Sequence, residues 1–214
     1  MRSPRDTGGW AGTRINLSRD ETETTNTAQW RKIVHIIIHD DFNFPSNDIA
    51  IAVTDAPWHF SSHVNSIPPA RSAEDYTKSC LSAGFGQTAR TYANISKVLL
   101  WAEIDVFTRN QCNVLWEMNM DTFICSDSVA SDVGGGDSGG PLACFVTSDP
   151  MDQEDKDLLV GIVSGKNFDK TTLFTRVSAF SDWLLRNEGR CLKGGELVGL
   201  SFVIKFICNF SLFS

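Results

Sequence analysis

Runs in which apolar and polar residues alternate are the dominant pattern along this 214-residue chain. A period of two gives a strand one apolar face, and the β-branched residues common in these runs favour strands. Turn formers such as Pro45 and Asn47 separate the runs. The pattern predicts strands at Gln29–His39, Asp48–Thr54, Cys80–Gly86, Lys97–Thr108, Leu158–Ser164 and Leu173–Val177, with at most a short strand near Trp10–Ile15.

One segment, Ser178–Asn187, has the pattern of a helix. Its residues Phe180, Trp183 and Leu184 are spaced at i, i+3 and i+4, which places them on one helical face. The chain shows neither an internal repeat nor a linker between domains. Several short strands with turn signals between them indicate an all-β barrel or sandwich.

Composition and charge narrow the class of protein. Nineteen Lys and Arg residues against 26 Asp and Glu residues give a net charge of −7. This argues against nucleic acid as a partner, because phosphates bind clustered positive charge. None of the six cysteines lies in a C-x-x-C pair, which argues against a structural zinc site. Their wide spacing favours disulfides and therefore an oxidising compartment.

The stretch Gly136–Pro141 (GDSGGP) has the composition of a sharp turn that carries a reactive group. Glycine lets the backbone turn tightly or approach a reacting atom closely, and a serine in such a turn exposes its hydroxyl. The N–H groups of Gly136 and Ser138 could converge to form an oxyanion hole. Taken alone, the hexapeptide is also compatible with a glycine-rich surface turn.

This hexapeptide resembles the nucleophile motif of chymotrypsin- and trypsin-like serine endopeptidases. Asn47–Ala50 (NDIA) is similar to the family segment that carries the catalytic aspartate. Asp48 lies 90 residues before Ser138, close to the family spacing in the order His, Asp, Ser. The order and spacing together favour the protease motif over a chance turn.

Further segments of the chain resemble the same family. Cys80–Gly86 is similar to the family's Cys…Gly-Trp-Gly segment, with Phe85 in place of the tryptophan. Phe174–Val177, followed by the helix with Trp183, resembles the family's C-terminal end. The resemblance covers roughly residues 10 to 188, in family order.

The resemblance implies a fold of two six-stranded antiparallel β-barrels, the first incomplete here, with a C-terminal helix. It implies acyl transfer, in which Ser138 attacks a peptide carbonyl and the N–H groups of Gly136 and Ser138 hold the oxyanion. Asp48 would orient the histidine that takes the serine proton. Asp137 would pair with the new α-amino group formed when a zymogen is cleaved. No cofactor and no metal are implied.

The histidine of such a triad has no counterpart at the family spacing. The family carries it about 45 residues before the aspartate, where this chain has Ser3. Met1–Trp10 also lacks the apolar segment of a signal peptide. We therefore expect residues 1–188 to be a protease domain that lacks its N-terminal part and hydrolyses no peptide as written. The histidines present are His35, His39, His59 and His63.

The same resemblance implies two disulfides. It pairs Cys80 with Cys144 and Cys112 with Cys125. The remaining two cysteines, in the C-terminal tail, have no family partners. They either pair with each other or stay free.

The resemblance also places a substrate pocket, with four wall residues. Asp132 lies six residues before Ser138, where trypsin-like enzymes carry the aspartate that binds arginine or lysine. A solvated loop aspartate is the equal alternative. Lys166 and Thr172 lie where family glycines keep the pocket open, so a cationic wall could neutralise Asp132 or block the pocket. The expected pocket residues are Asp132, Ser164, Lys166 and Thr172.

Residues 189–214 extend beyond the resemblance. Leu197–Ser214 is mostly apolar but contains Lys205, which is costly inside a bilayer. We rank an aberrant terminus first, a membrane-associated tail second and a packed strand third.

By family, the protein would be secreted, with protein or peptide substrates or protease inhibitors as partners. The alternative function is a non-catalytic protease homologue that binds proteins as a cofactor or a decoy. Homologues of that kind often lose the serine, so the presence of Ser138 favours the enzyme.

Overall fold

Antiparallel strands form two sheets in the computed structural model of the chain. The structure describes residues 8–16, 27–76, 80–88, 94–127, 129, 131–145, 147–152, 157–166, 171–192 and 203–204. The helices are α1 (Arg109–Trp116) and α2 (Ser181–Leu192), and a 3-10 turn at Val177–Phe180 precedes α2. The strands are β1 (Gly8–Ala11), β2 (Gln29–Ile38), β3 (Ala50–Thr54), β4 (Cys80–Gly84), β5 (Leu100–Val106), β6 (Phe123–Asp127), β7 (Pro141–Cys144), β8 (Leu158–Lys166), β9 (Thr172–Arg176) and β10 (Val203–Ile204).

Six of these strands close into a barrel in the order β4-β5-β6-β9-β8-β7. Closure pairs every strand on both sides and leaves no exposed edge. Apolar side chains fill the interior, among them Ile104, Leu142, Leu158 and Phe174, each at most 1% exposed. Burial of one such side chain stabilises the folded state by about 1.5–3 kcal/mol. The barrel is therefore a stable scaffold for the glycine-rich turn.

The second sheet has four strands in the order β1-β2-β3-β10. Ile49 and Ile51, around the start of β3, share a buried cluster with Leu159 and Ile162 of β8 and with Trp183 of α2. This shared core joins the sheet to the barrel and to the C-terminal helix. The structure confirms the all-β fold, with one closed barrel of six strands beside a smaller sheet.

The sequence pattern indicated a single helix, at Ser178–Asn187, but the structure contains a further helix, α1. α1 begins with a capping box: Gln111 N–H donates to the Thr108 hydroxyl, and Thr108 N–H donates to the Gln111 side chain. This S/T-x-x-Q signal is present in the sequence. α1 has no apolar stripe, since Cys112 is its one buried residue among those the structure describes, and so periodicity did not detect it.

Two residues of the C-terminal tail form β10. Val203 is opposite Ala52 and Ile204 is opposite Ile51, in antiparallel pairing with β3. These two residues pair as a strand, and the ranking of the three interpretations of the tail stays a prediction. The rest of 193–214, with Lys205 and Cys208, lies outside the described residues, as does the side chain of Cys191. Among the helices described, none is both long and apolar enough to span a bilayer.

Strand β8 carries one more residue than β9 where they pair. Val163 is opposite Phe174 and Gly165 is opposite Leu173, so Ser164 has no partner residue across the ladder. A bulge of this kind re-aims the side chain of the extra residue. The Ser164 hydroxyl is thereby directed to the four-stranded sheet.

Both disulfides implied by the resemblance are present. Cys80 is bonded to Cys144, which links β4 to its neighbour β7. Cys112 is bonded to Cys125, which links α1 to β6. All four of these cysteines are buried.

Loss of the Cys80–Cys144 bond should destabilise the fold more than loss of the Cys112–Cys125 bond. The first spans 64 residues and the second 13, and a longer loop restricts the unfolded chain more strongly. The chain-entropy relation gives about 4 kcal/mol for the first and about 3 kcal/mol for the second. Urea unfolding of Cys80→Ala/Cys144→Ala and of Cys112→Ala/Cys125→Ala measures both losses. Equal losses, or a larger loss in the second variant, would contradict the loop argument.

Candidate active site

The Gly136–Pro141 turn lies between β6 and β7 and is bound to β8 through the backbone. Gly139 N–H donates to the Val163 carbonyl at 2.7 Å, and Val163 N–H donates to the Gly140 carbonyl at 2.9 Å. Gly136 and Gly139 have φ angles of 100° and 80°, a region that favours glycine. The serine of the motif is therefore held in a turn that the barrel fixes.

Ser138 is partly exposed and lines a cavity of about 690 Å³. In the described part of the chain, the N–H groups of Gly136 and Ser138 donate no hydrogen bond to another backbone group. Free N–H groups beside an exposed hydroxyl are what stabilisation of a tetrahedral oxyanion requires. The turn thus presents a partly exposed hydroxyl together with two backbone N–H groups that have no backbone acceptor in the described part of the chain.

The carboxylate of Asp137 is bound by two backbone N–H groups. Gly86 donates to Oδ1 at 2.7 Å and Gly134 donates to Oδ2 at 2.8 Å. A Cβ atom on Gly84 or Gly86 would collide with this carboxylate, so the glycines around Phe85 make room for it. Burial raises the pKa of Asp137, and the two backbone hydrogen bonds oppose that rise in part.

Asp48 lies in the turn before β3, and two strands of the barrel bind it. Ser164 Oγ donates to Asp48 Oδ2 at 2.7 Å, and Thr175 Oγ1 donates to the Asp48 carbonyl at 2.8 Å. Asn47 has a φ of 54°, which asparagine tolerates in turns, and Ile49 anchors the turn in the shared core. The family spacing had placed Ser164 in the pocket wall, whereas its hydroxyl contacts the aspartate.

None of the four histidines forms a hydrogen bond with Ser138 or Asp48, and all six residues are described. His39 packs its ring against Phe180 and Trp183, with centroid distances of 5.4 and 5.2 Å. The other three histidines are exposed. Among the described residues, Asp48 and Ser138 therefore have no hydrogen bond to a histidine.

Asp132 lines the cavity, and a lysine of the same chain neutralises the charge of its carboxylate. Lys166 Nζ forms an ion pair with Oδ2. The Thr172 hydroxyl donates to Oδ1 at 2.6 Å, and Val133 N–H donates to the same oxygen at 2.9 Å. The charged side chains are 17% and 18% exposed. Three of the expected pocket residues, Asp132, Lys166 and Thr172, therefore meet in one cluster.

Phe44 lies against Gly165, a contact that no sequence signal had indicated. A Cβ atom on Gly165, which lines the cavity, would lie 3.0 Å from Cζ of Phe44. The Phe44 side chain is otherwise 62% exposed. Its ring therefore lies directly against the backbone of this glycine.

A closed six-stranded barrel and a second sheet that meet beside a GDSGGP turn define a serine protease of the chymotrypsin fold. The family model described as trypsin matches residues 6–184. The chain belongs to the trypsin family.

Several known proteins are similar to this chain. Transmembrane protease serine 9 of Rattus norvegicus is 26% identical over 194 residues, which cover 85% of this chain and 17% of that protein. Serine protease SSP1 of Scolopendra subspinipes is 26% identical, covering 83% and 63%. A venom serine protease of Polistes dominula is 31% identical, covering 71% and 53%. The chain thus spans less than two thirds of the length of each of these relatives.

A solved structure shares the fold. It is neuropsin, a serine protease expressed in the limbic system of mouse brain, with a TM-score of 0.64 and 22% sequence identity. The match covers 75% of this chain and 73% of the neuropsin chain.

Replacement of Ser164 by alanine should lower the free energy of unfolding by about 1.5–3 kcal/mol, the range for a hydrogen bond to a charged group. The carboxylate of Asp48 would lose its hydroxyl donor. Chemical denaturation measures the change. Ser46→Ala, in an exposed turn, is the matched control and should stay within about 0.5 kcal/mol of the wild type. A Ser164→Ala protein as stable as this control would show that the bond does not stabilise the fold.

The stability of the protein should depend on pH through Asp137. Because the folded-state pKa of Asp137 is raised, the folded state binds this proton more tightly than the unfolded chain. The resulting stabilisation is complete below the ordinary aspartate pKa of 3.8 and is lost as the pH rises through the folded-state value. The unfolding free energy of the wild type relative to Asp137→Asn should therefore increase as the pH is lowered from 7.

Denaturation of both proteins at a series of pH values measures this difference. Asp40→Asn, which removes one exposed carboxylate, controls for the change in net charge. The assignment would be contradicted if the difference in unfolding free energy between the wild type and Asp137→Asn stayed constant with pH, or if it decreased as the pH was lowered.

Proposed function

We propose that this chain is a serine endopeptidase domain that cleaves peptide bonds by acyl transfer, with Ser138 as the nucleophile. The hydrogen bonds of strand β8 support this proposal most directly. Val163 binds the GDSGGP turn through two backbone hydrogen bonds, and the next residue, Ser164, binds Asp48. Adjacent residues of one strand thus hold the serine turn and the aspartate in a fixed relation.

The reaction that this arrangement serves has two stages. The Ser138 hydroxyl attacks the substrate carbonyl and gives its proton to a base, while the N–H groups of Gly136 and Ser138 bind the oxyanion. The base then protonates the leaving amine, and an acyl ester remains on Ser138. Water hydrolyses this ester by the same route. Asp48 orients the base, and Asp137 stabilises the turn that carries the donors.

We place the base outside the four histidines of this chain. His39 is packed against Phe180 and Trp183, and the remaining three histidines are solvent-exposed without a bond to the aspartate or the serine. Loss of the histidine from such a triad costs on the order of 10⁶-fold in rate. By itself, the chain should therefore hydrolyse peptides too slowly to detect.

We propose an extracellular location and protein or peptide substrates. The two disulfides are bonds that persist in oxidising compartments. Relatives named as a venom protease and as transmembrane proteases support the same location. Protease inhibitors that present a substrate-like segment would bind the same site as the substrates.

A second candidate function is a non-catalytic homologue that binds proteins as a cofactor or a decoy. The observation in its favour is that none of the four histidines is hydrogen-bonded to Asp48 or Ser138, so that none of them is placed to take the proton of the hydroxyl. A non-catalytic homologue keeps the fold and its surface but needs no base.

Added imidazole should separate the two functions, because it can act as the missing base. With a neutral peptide p-nitroanilide, we expect no hydrolysis in buffer and a rate that rises at least about tenfold above background with imidazole, less than a positioned base provides. Ser138→Ala should show the background rate alone. Ser46→Ala should behave as the wild type.

A fluorophosphonate reagent gives a second readout. Imidazole should promote its attachment to Ser138, which peptide mapping by mass spectrometry identifies. Hydrolysis that is equal in the wild type and Ser138→Ala, together with no attachment at any imidazole concentration, would reject the endopeptidase and favour the binding protein.

A further inference from the structure

The ion pair between Lys166 and Asp132 lies in the same cavity that Ser138 lines. Asp132 Oδ2 meets the ammonium group, and its Oδ1 accepts hydrogen bonds from Thr172 and Val133. Groups of this chain therefore occupy both oxygens of the carboxylate, Oδ1 by hydrogen bonds and Oδ2 by the ion pair. The two charged side chains are also more than four-fifths buried, where charges interact strongly because little water screens them.

We propose that Lys166 occupies, from within the chain, the position at Asp132 that a cationic substrate side chain would need. The pocket accordingly takes an uncharged side chain and excludes arginine and lysine. This inference rests on the proposed function, since it names the substrate class of the same site.

Electrostatics explain the exclusion of cations. An arginine or lysine side chain that entered the pocket would share one carboxylate with Lys166, and two like charges a few ångströms apart repel each other in a partly buried site. Displacement of the Lys166 ammonium group is also opposed, because it would break the largely buried ion pair with Asp132. An uncharged side chain leaves the ion pair intact and meets neither penalty.

The walls of the cavity fit an uncharged occupant. Apart from the ion pair, apolar and small residues form much of the lining, and Phe44 lies against one of them, Gly165. Burial of apolar surface against such walls stabilises an uncharged side chain without any counter-ion. The small and apolar lining residues include Ala102, Ile104, Val133, Gly134, Val163 and Gly165.

An acidic occupant is the competing possibility, because it would be attracted to Lys166. It would also face Asp132, so that two carboxylates would share one ammonium group. Two anions beside one cation leave a net charge in a partly buried site, which costs free energy. The neutral occupant is therefore favoured, and the acidic one is an outcome that the experiment can detect.

Three planar probes of nearly the same shape separate these possibilities: benzamidine is cationic, benzamide is neutral and benzoate is anionic. Their dissociation constants are measured by calorimetry or by ligand-observed NMR. For the wild type, we expect benzamide to bind at least as tightly as benzamidine and benzoate. Lys166→Ala should bind benzamidine at least about tenfold more tightly than the wild type does.

Further variants show whether the gain comes from Asp132. Lys166→Gln removes the charge but keeps a side chain of similar length, and it should show a smaller gain for benzamidine. Lys166→Ala/Asp132→Asn should lose the gain. Lys32→Ala, in β2 on the other sheet, removes a lysine that does not line the cavity and should leave all three affinities unchanged.

Three results would overturn the inference. They are tighter binding of benzamidine than of benzamide by the wild type, tightest binding of benzoate by the wild type, or no gain for benzamidine in either Lys166 variant. Circular dichroism and thermal unfolding verify that each variant is folded. If Lys166→Ala does not fold, Lys166→Gln provides the same test.

These binding measurements do not depend on catalysis. If imidazole restores no hydrolysis but the probes behave as expected, the endopeptidase proposal fails and the assignment of the pocket stands.

Discussion

The hydrogen bond from Ser164 to Asp48 connects the four-stranded sheet to the barrel at the candidate active site. The preceding residue, Val163, holds the GDSGGP turn by two backbone bonds, so β8 determines the position of both functional groups. A buried cluster that includes Ile49 and Trp183 supports this junction from behind. Because packed cores deform little, the relation between the turn that carries Ser138 and the turn that carries Asp48 is set by the scaffold rather than by loops that adjust independently.

Three carboxylates of the candidate active site are bound by three different kinds of partner. A hydroxyl binds Asp48, backbone N–H groups bind Asp137, and an ammonium group binds Asp132. A buried charge is costly without such partners, and the partner decides what the carboxylate can still do. Burial raises the pKa of Asp137, and its backbone hydrogen bonds oppose that rise in part, whereas the ammonium group leaves Asp132 little attraction for another cation.

Much of the fold was predictable, because it depends on local signals in a specific order. Alternating runs indicated β2, β3 and β8, and family spacing indicated both disulfides. β6 was not predicted, since its apolar run is short and fully buried, and a short buried run shows no period. The contact of Phe44 with Gly165 brings distant segments together and leaves no local pattern. The Lys166–Asp132 pair was foreseen as one possibility, but only the register of β8 against β9 decides it.

The bulge at Ser164 separates two properties of the candidate site. Side chains of a strand alternate between two faces, and the extra residue leaves β8 in register with β9 on both sides of Ser164. Deletion of Ser164 would give a regular ladder in which Val163 still lies opposite Phe174 and Lys166 still lies opposite Thr172. The ion pair of the pocket would therefore be kept, and the hydroxyl that binds Asp48 would be lost. The anchoring of the aspartate can thus change at this one position, even by a codon deletion, while the charge of the pocket stays the same.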